Sequence, residues 1–198
     1  GRAVAAALQA LSEAGLDYQA ALDAVTGLVA GELGGYCLVL ILSEDEGQAV
    51  IDSGFAADPE ARDMLERLIE RNRNPDAQAG VTRRLARGEP FRLDGVDPAA
   101  LLRPDGVLGS LVAESEATVE RHRDWTVLVA PLRAGGEPLG ILACARHTPG
   151  RPFTENDERF VSDFATRAAP IVRNARLHAR LQRSVAEMEE TRARLEAQ

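Results

Sequence analysis

The sequence predicts an α+β domain with a central antiparallel sheet. A long C-terminal helix follows the sheet. Three observations lead to this prediction. Two stretches with apolar residues at helical spacing precede the first strand. Two pairs of apolar runs are each joined by a polar turn, as in β-hairpins. Thr154 then opens a helical pattern that runs to the end of the chain.

Composition narrows the classes of function. The chain has 198 residues and a formal net charge of −8 at pH 7, and an acidic surface favours neither nucleic acid nor a membrane. All 23 basic residues are arginines, which excludes chemistry that needs a lysine, such as a Schiff base or a P-loop. No apolar run approaches the roughly 20 residues of a membrane helix. We therefore expect a cytoplasmic segment, and its ends within helical patterns suggest a fragment of a longer protein.

The first half of the chain predicts two helices, a hairpin and a third helix. Residues 2–14 form the first helix, which stops at Gly15. Asp17 caps the second helix, whose buried stripe comprises Leu22, Val25, Val29 and Leu33. Residues 36–42 form a strand buried on both faces, and residues 48–53 return beside it. A helix then starts at Asp58-Pro59-Glu60 and ends before Asn74-Pro75.

The second half predicts a short helix over residues 79–86, a strand over 91–93 and a hairpin of residues 126–132 and 139–146. Residues 94–109 form a loop, while residues 110–123 fit either a helix or a loop. Pro170 interrupts the last helix, since an interior proline removes one backbone hydrogen bond. The resulting kink would separate a packed part around Phe160 and Phe164 from a part beginning at Leu181. It is either a hinge or a tolerated irregularity.

Four stretches resemble the GAF domain family and together span nearly the whole chain. They are residues 16–25 running into 38–42; residues 86–94 with Gly88-Glu89-Pro90; Val129-Ala130-Pro131-Leu132 with Pro138-Leu139-Gly140-Ile141-Leu142; and Phe153-Thr154-Glu155 continuing to Asn174-Ala175-Arg176-Leu177. The resemblance implies that terminal helices cover one face of the sheet and dimerise. It also implies that loops and short helices cover the other face and enclose a small-molecule pocket. It also implies a GAF-like sensory domain over residues 1–176, followed by a coiled-coil signalling linker over residues 177–198.

The resemblance leaves the ligand open, because one fold serves many ligands. Three aromatic residues fall near the predicted pocket side, namely Phe55, Phe91 and Trp125. Arg83 and Arg92 would be placed there to meet an anionic ligand. His122, shortly before Trp125, is the candidate for an axial ligand. For each residue the alternative is core packing or a solvated surface.

The sequence supports neither haem nor bilin and predicts no metal site, so the cofactor is unknown. The Asn-Lys-Phe-Asp-Glu signature of cyclic-nucleotide GAF domains is incomplete in a chain without lysine. Bilin attachment needs an accessible thiol, whereas Cys37 and Cys144 lie in predicted strands, which indicates buried thiols. We find no Ser-His-Asp or Cys-His pattern and expect no catalytic residues in this segment. An enzyme of the cysteine-redox type stays open as a third class.

The last helix carries a heptad-like stripe. It begins at His178 and continues with Leu181, Val185, Met188, Arg192 and Leu195. Phe164 and Ile171, earlier on the same helix, are also assigned to the dimer and signalling helix. This spacing predicts a dimer through a parallel coiled coil, with a solvated helix stub as the alternative. The tail after Leu181 is similar to linkers that precede histidine kinases, with diguanylate cyclases and phosphatases as further candidates. A small ligand or a partner domain would thus act on a downstream effector in the same chain, unless the module is only structural.

Overall fold

The computed structural model describes residues 2–13, 15, 17–43, 49–71, 82–83, 85–93, 124–147 and 151–197. The helices are α1 (Arg2–Glu13), α2 (Tyr18–Leu33), α3 (Pro59–Arg71) and α4 (Glu155–Glu196). The strands are β1 (Tyr36–Leu42), β2 (Ala49–Ala56), β3 (Phe91–Leu93), β4 (Trp125–Ala134) and β5 (Glu137–His147). Residues 82–83 and 85–87 are also helical.

These strands form one five-stranded sheet in the order β2-β1-β5-β4-β3, and every neighbouring pair is antiparallel. Strands β1 and β5 lie at its centre, although they are far apart in sequence. Each residue of β1 is buried, as expected for a central strand with both faces covered. The predicted α+β class with a central antiparallel sheet is confirmed.

Two apolar layers cover the two sides of the sheet. On one side, which we call the helix face, Cys37, Val39 and Ile41 of β1 and Leu128 of β4 pack against the buried residues of α2 and α4. On the other side, which we call the α3 face, the alternate residues of the same strands pack against α3 and Leu85. This separation follows from the twofold alternation of side chains along a strand.

Local capping chemistry sets the starts of α2 and α4. The Oδ1 of Asp17 accepts a hydrogen bond from the backbone N–H of Ala20 at 2.9 Å. Thr154 and Asp157 form a reciprocal capping box: each side chain accepts from the backbone N–H of the other residue. Both predicted helix starts are confirmed. The end of α2 at Gly34, which has φ of 75°, is confirmed as well.

Strand β2 differs from its prediction in length and regularity. It continues to Ala56, three residues beyond the predicted end at Ser53, because residues 54–56 pair with the start of β1. The register shifts between Val39 and Leu40, which pair with Ser53 and Ile51 respectively. Asp52 is therefore the extra residue of a β-bulge, and the facing of β2 residues changes across it.

The β4–β5 hairpin and α4 also differ in detail from their predictions. The hairpin loop is only Gly135-Gly136, both at positive φ, because Ala134 already pairs with Glu137. Helix α4 continues through Pro170 as one uninterrupted helix. Val172 and Ala175 beyond the proline are still buried, so the packed part of α4 ends after Ala175 and not at Pro170. The predicted loop over residues 94–109 and the alternatives for residues 110–123 lie outside the described residues.

Candidate functional site

An aromatic group occupies the corner of the α3 face where β4 begins and β5 ends. The ring of Trp125 lies 5.7 Å from that of Tyr36 and 5.8 Å from that of His147, measured between centroids. The Nδ1 of His147 lies 3.5 Å from a carboxylate oxygen of Glu60 at the start of α3. Burial raises the pKa of the Tyr36 phenol above its usual range. The half-buried Phe91 packs against the same apolar layer.

The structure separates the aromatic residues that were predicted to line one pocket. Phe91 and Trp125 belong to the α3 face. Phe55 lies on the helix face instead, where a Cβ on Gly27 of α2 would be 3.9 Å from its ring, and it remains 47% exposed. The bulge at Asp52 causes this difference, since without the extra residue Phe55 would face the same way as Ile51. The predicted placement of Phe55 is therefore corrected.

The two predicted pocket arginines lie in different places. Arg92 pairs with Leu128 of β4 and reaches α4, where its Nη1 is 3.9 Å from Glu158. Arg92 therefore projects to the helix face, because adjacent residues of a strand face opposite sides and Phe91 faces α3. Its predicted placement beside Phe91 is corrected. Arg83 lines a cavity of about 270 Å³ beside Arg173, at the opposite end of the sheet from Trp125. His122 lies outside the described residues. A shared ligand role for these residues stays a prediction.

The bulge in β2 builds a polar network with the first turns of α2. The hydroxyl of Tyr18 donates to Oδ2 of Asp52 at 2.7 Å, and the hydroxyl of Ser53 donates to Asp23 at 2.7 Å. Ser53 also lies 3.0 Å from the hydroxyl of Thr26. Burial, followed by the bond to Asp52, raises the pKa of Tyr18 above its usual range. Two consecutive residues of β2 thus face α2, which ties the edge of the sheet to this helix.

A cleft of about 590 Å³ lies beside this network, between the β1–β2 hairpin and α4. Arg176, Arg180 and Arg183 line its α4 side, and Tyr18 and Asp52 line its sheet side. None of these three arginines belongs to the predicted pocket residues. Their spacing of four and then three residues places them on one helix face, and this spacing was the signal available in the sequence.

The predicted dimer residues of α4 fall into two groups. Phe164 is fully buried and Ile171 packs against the same layer, so both contact the core of their own domain, and their part in dimerisation stays a prediction. The half-buried His178 marks the transition; its Nδ1 has no hydrogen-bond partner among the described residues. Beyond it the apolar residues are exposed, namely Leu181 (63%), Val185 (41%), Met188 (64%) and Leu195 (69%).

The two cysteines face each other within the sheet. Cys37 and Cys144 are paired across β1 and β5, both are buried and free, and their Sγ atoms are 3.6 Å apart. Burial raises the pKa of Cys37 well above its usual range, which keeps the thiol protonated and poorly nucleophilic. The prediction of buried thiols is confirmed.

Two other features are absent from the described part of the chain. No group of three His, Cys, Asp or Glu side chains there is arranged to hold a metal ion. None of the described helices is both long enough and apolar enough to cross a membrane.

Comparisons with known proteins agree with this architecture. The chain is similar to the GAF domain of a phosphoenolpyruvate-protein phosphotransferase from Coxiella burnetii, at 19% identity and a TM-score of 0.60, over 90% of this chain and 95% of that chain. It is also similar to the GAF domain of an Acinetobacter phosphoenolpyruvate-protein phosphotransferase, at 13% identity and a TM-score of 0.58, over 90% and 96% of the two chains. The GAF-B domain of DevS from Mycobacterium smegmatis matches at 21% identity and a TM-score of 0.50, over 83% and 99%.

At these identities the structural likeness shows the fold alone. No curated protein matches the chain in a sequence search. The family model described as "GAF domain" matches residues 17–172, which include α2, the whole sheet and α4 up to Val172. The chain therefore belongs to the GAF domain family.

Proposed function

We propose that this chain is a cytoplasmic, non-catalytic sensory and dimerisation module of a larger signalling protein. A small ligand or a partner domain acts on the domain, and the terminal helices relay the change to an effector in the same chain. A histidine kinase is the first candidate for this effector, and a diguanylate cyclase or a phosphatase is the alternative. A structural dimerisation domain without a ligand is the competing function.

The observation that carries this proposal is the change from buried to exposed apolar residues along α4. Up to Ala175 the helix contributes buried residues to the core, and from Leu181 to Leu195 it exposes apolar side chains. The 21 residues from Arg176 to Glu196 extend about 32 Å at 1.5 Å per residue. A helix that leaves its domain with an apolar stripe needs a partner surface, since a lone stripe of this kind is costly in water.

The stripe has the geometry of a coiled-coil seam. Leu181, Val185, Met188 and Leu195 follow the alternating spacing of four and three residues, with Arg192 in the one polar position between them. Burial of each large apolar side chain contributes roughly 1.5–3 kcal/mol. A second copy of the same helix in parallel offers an identical stripe, and it would deliver both effector domains to the same end of the dimer.

Strand β5 offers a path from the α3 face to these helices. His147 contacts Glu60 and Trp125 on the α3 face. Its neighbour Arg146 donates to the backbone oxygen of Leu33 at the end of α2 and lies 3.3 Å from Asp157 in α4. Adjacent strand residues thus contact the two sides of the sheet. A shift of α3 or of the β5 end would reach both α2 and α4, which supports the proposed relay.

Cysteine cross-linking tests the parallel pairing. In a parallel seam, Met188→Cys places two thiols at one level of the coiled coil, and we expect a rapid disulfide-linked dimer under mild oxidation. Glu190→Cys is the matched control, because residue 190 occupies the outward position of the same heptad. The native cysteines are buried, so they do not interfere. A chain that stays monomeric in light scattering, with equal cross-linking of the two variants, would contradict dimerisation through α4.

Native mass spectrometry separates a sensor from a structural dimer. A sensor purified from its own host is expected to carry a metabolite as a discrete added mass, released on denaturation. A haem or a bilin would also appear in the visible absorption spectrum. A dimer that carries no bound molecule, and whose stability no metabolite extract changes, would favour the structural function.

A further inference from the structure

The cleft between α4 and the β1–β2 hairpin lies on the helix face, away from the aromatic corner at Trp125. Its sheet side contains Ile41, Ser43, Val50 and Asp52, and Tyr18 of α2 closes one wall. Its α4 side contains Arg176, Arg180, Arg183, Ser184 and Glu187. The cleft volume of about 590 Å³ falls within the range of roughly 300–1,000 Å³ that is usual for small-molecule sites. The cleft therefore has the size of a ligand site.

The α4 wall of this cleft concentrates positive charge in a chain of net charge −8. The three arginines follow one another at four and three residues, so their side chains share one face of the helix and repel each other. Arg176 and Arg180 are half-buried. Arg176 and Arg183 form no ion pair with any residue in the described ranges, and the charges of both act on the Tyr18 phenol. Three arginines against the two carboxylates of Asp52 and Glu187 leave a local excess of positive charge in the cleft, which favours an anion.

The two acidic side chains of the cleft do not cancel its positive charge. Asp52 accepts the hydroxyl of Tyr18 at 2.7 Å, which holds its carboxylate at the sheet wall. Glu187 lies one turn beyond Arg183, toward the exposed part of α4. Hydroxyl donors also line the cleft, from Ser43 and Ser184. Guanidinium forks with nearby hydroxyls are the groups that bind phosphate oxygens well, since both donate hydrogen bonds to several oxygens at once.

We propose that this cleft is a second ligand site, which binds a phosphate-bearing small molecule between Arg176 and Arg183. The site lies on the helix face, whereas the aromatic corner at Trp125 lies on the α3 face. The inference concerns binding alone, so it stands whether or not α4 pairs with a second copy. A bound phosphate would bridge the edge of the sheet to α4 immediately before the exposed seam begins.

Calorimetric titration with inorganic phosphate and pyrophosphate tests this site, with sodium chloride holding the ionic strength constant. We expect saturable binding of one pyrophosphate per chain, tighter than that of phosphate. Arg176→Gln and Arg183→Gln should each weaken it at least about tenfold, as the loss of one charge-assisted contact implies. Arg167→Gln is the matched control, since Arg167 is exposed on α4 outside the cleft. It should change the affinity less than twofold.

Three results would overturn the proposal. The first is no saturable heat with pyrophosphate, which would mean that the chain itself neutralises these arginines. The second is equal weakening by Arg167→Gln and Arg176→Gln, which would indicate a diffuse field and not a site. The third is malonate binding as tightly as pyrophosphate, which would refute the preference for phosphate. Thermal unfolding followed by circular dichroism shows whether each variant is folded, and Arg183→Gln at the exposed end of the cleft retains the core contacts of α4.

Discussion

We expect replacement of Arg146 to destabilise the domain strongly. Its guanidinium donates hydrogen bonds to three backbone oxygens, of Leu33 at 2.7 Å and of Arg151 and Pro152 at 2.8 Å each. It also lies 4.3 Å from the centre of the Phe153 ring. The side chain is only 14% exposed. One residue thus joins the end of α2, the segment before α4 and the end of β5.

The size of the effect follows from these contacts. The bond to the partly buried Leu33 oxygen contributes about 1.5–2 kcal/mol, and the two more exposed bonds contribute about 1 kcal/mol each. The ring contact adds about 0.5–1 kcal/mol. Water replaces part of the lost hydrogen bonding. We therefore expect Arg146→Met to lower the free energy of unfolding by about 3–4 kcal/mol. Arg146→Lys should cost about 2 kcal/mol, since an ammonium group keeps the charge but cannot span the three oxygens.

Urea unfolding measures these differences through the fluorescence of Trp125, the single tryptophan, which is buried in the sheet. Arg173→Met is the control, because among the described residues Arg173 donates one hydrogen bond, of 3.3 Å, to the backbone oxygen of Ala134. It should cost less than about 1 kcal/mol. If Arg146→Lys proves as stable as the wild type, the guanidinium fork is not what joins these segments, and the reasoning fails.

Two further predictions concern backbone contact and pH. A Cβ on Gly140 would overlap the backbone oxygen of Leu40, so Gly140→Ala should cost at least about 3 kcal/mol in urea unfolding. Gly31→Ala in α2 meets no atom and should stabilise by about 0.5–1 kcal/mol; similar effects for both glycines would contradict the close approach of β1 and β5. Burial raises the pKa of Tyr18 and of Tyr36 above 10.0, so the folded chain holds these protons longer than the unfolded chain. Stability is therefore complete below about pH 10 and falls above it, by up to about 1.4 kcal/mol per pH unit for each tyrosine. Tyr18→Phe should reduce this slope in urea unfolding at several alkaline pH values, and tyrosines that ionise in the folded state would refute the prediction.

The sequence revealed those parts of the fold that depend on near neighbours. Asp17 and Thr154 begin their helices through hydrogen bonds to residues three positions away, so the pattern is visible within a few letters. The β4–β5 hairpin is likewise local, because Gly135 and Gly136 supply the positive φ that its turn needs. The family resemblance, carried by this hairpin and the segment after it, was confirmed by the match over residues 17–172.

Features that depend on pairing between distant segments were missed. The bulge at Asp52 arises from the register of β2 against β1, and it turned Phe55 to the other face. Pro170 predicted a division of the last helix at that residue. However, the packing of Val172 and Ala175 carries the core past it. In both cases contacts between segments far apart in the sequence decide the structure.

The candidate sites illustrate the same limit. The cleft beside α4 takes residues from α2, β1, β2 and α4, which lie up to about 170 positions apart in the chain. The arginine spacing on α4 was visible in the sequence, but the opposing wall with Tyr18 and Asp52 was not. The separation of Phe91 from Arg92 was available from the sequence, because adjacent residues of the predicted strand over 91–93 face opposite sides of a sheet.

The free length of α4 has a mechanical consequence. Its last buried residue is Ala175, and about 32 Å of helix extends beyond that point. A rigid rod of this length converts a tilt of about 10° at its base into a sideways movement of about 5 Å at its tip, by simple geometry from the helical rise. Pro170 lies just before the fulcrum, where the missing N–H makes bending easier. Displacements too small to alter the core would therefore be magnified where the next domain is attached.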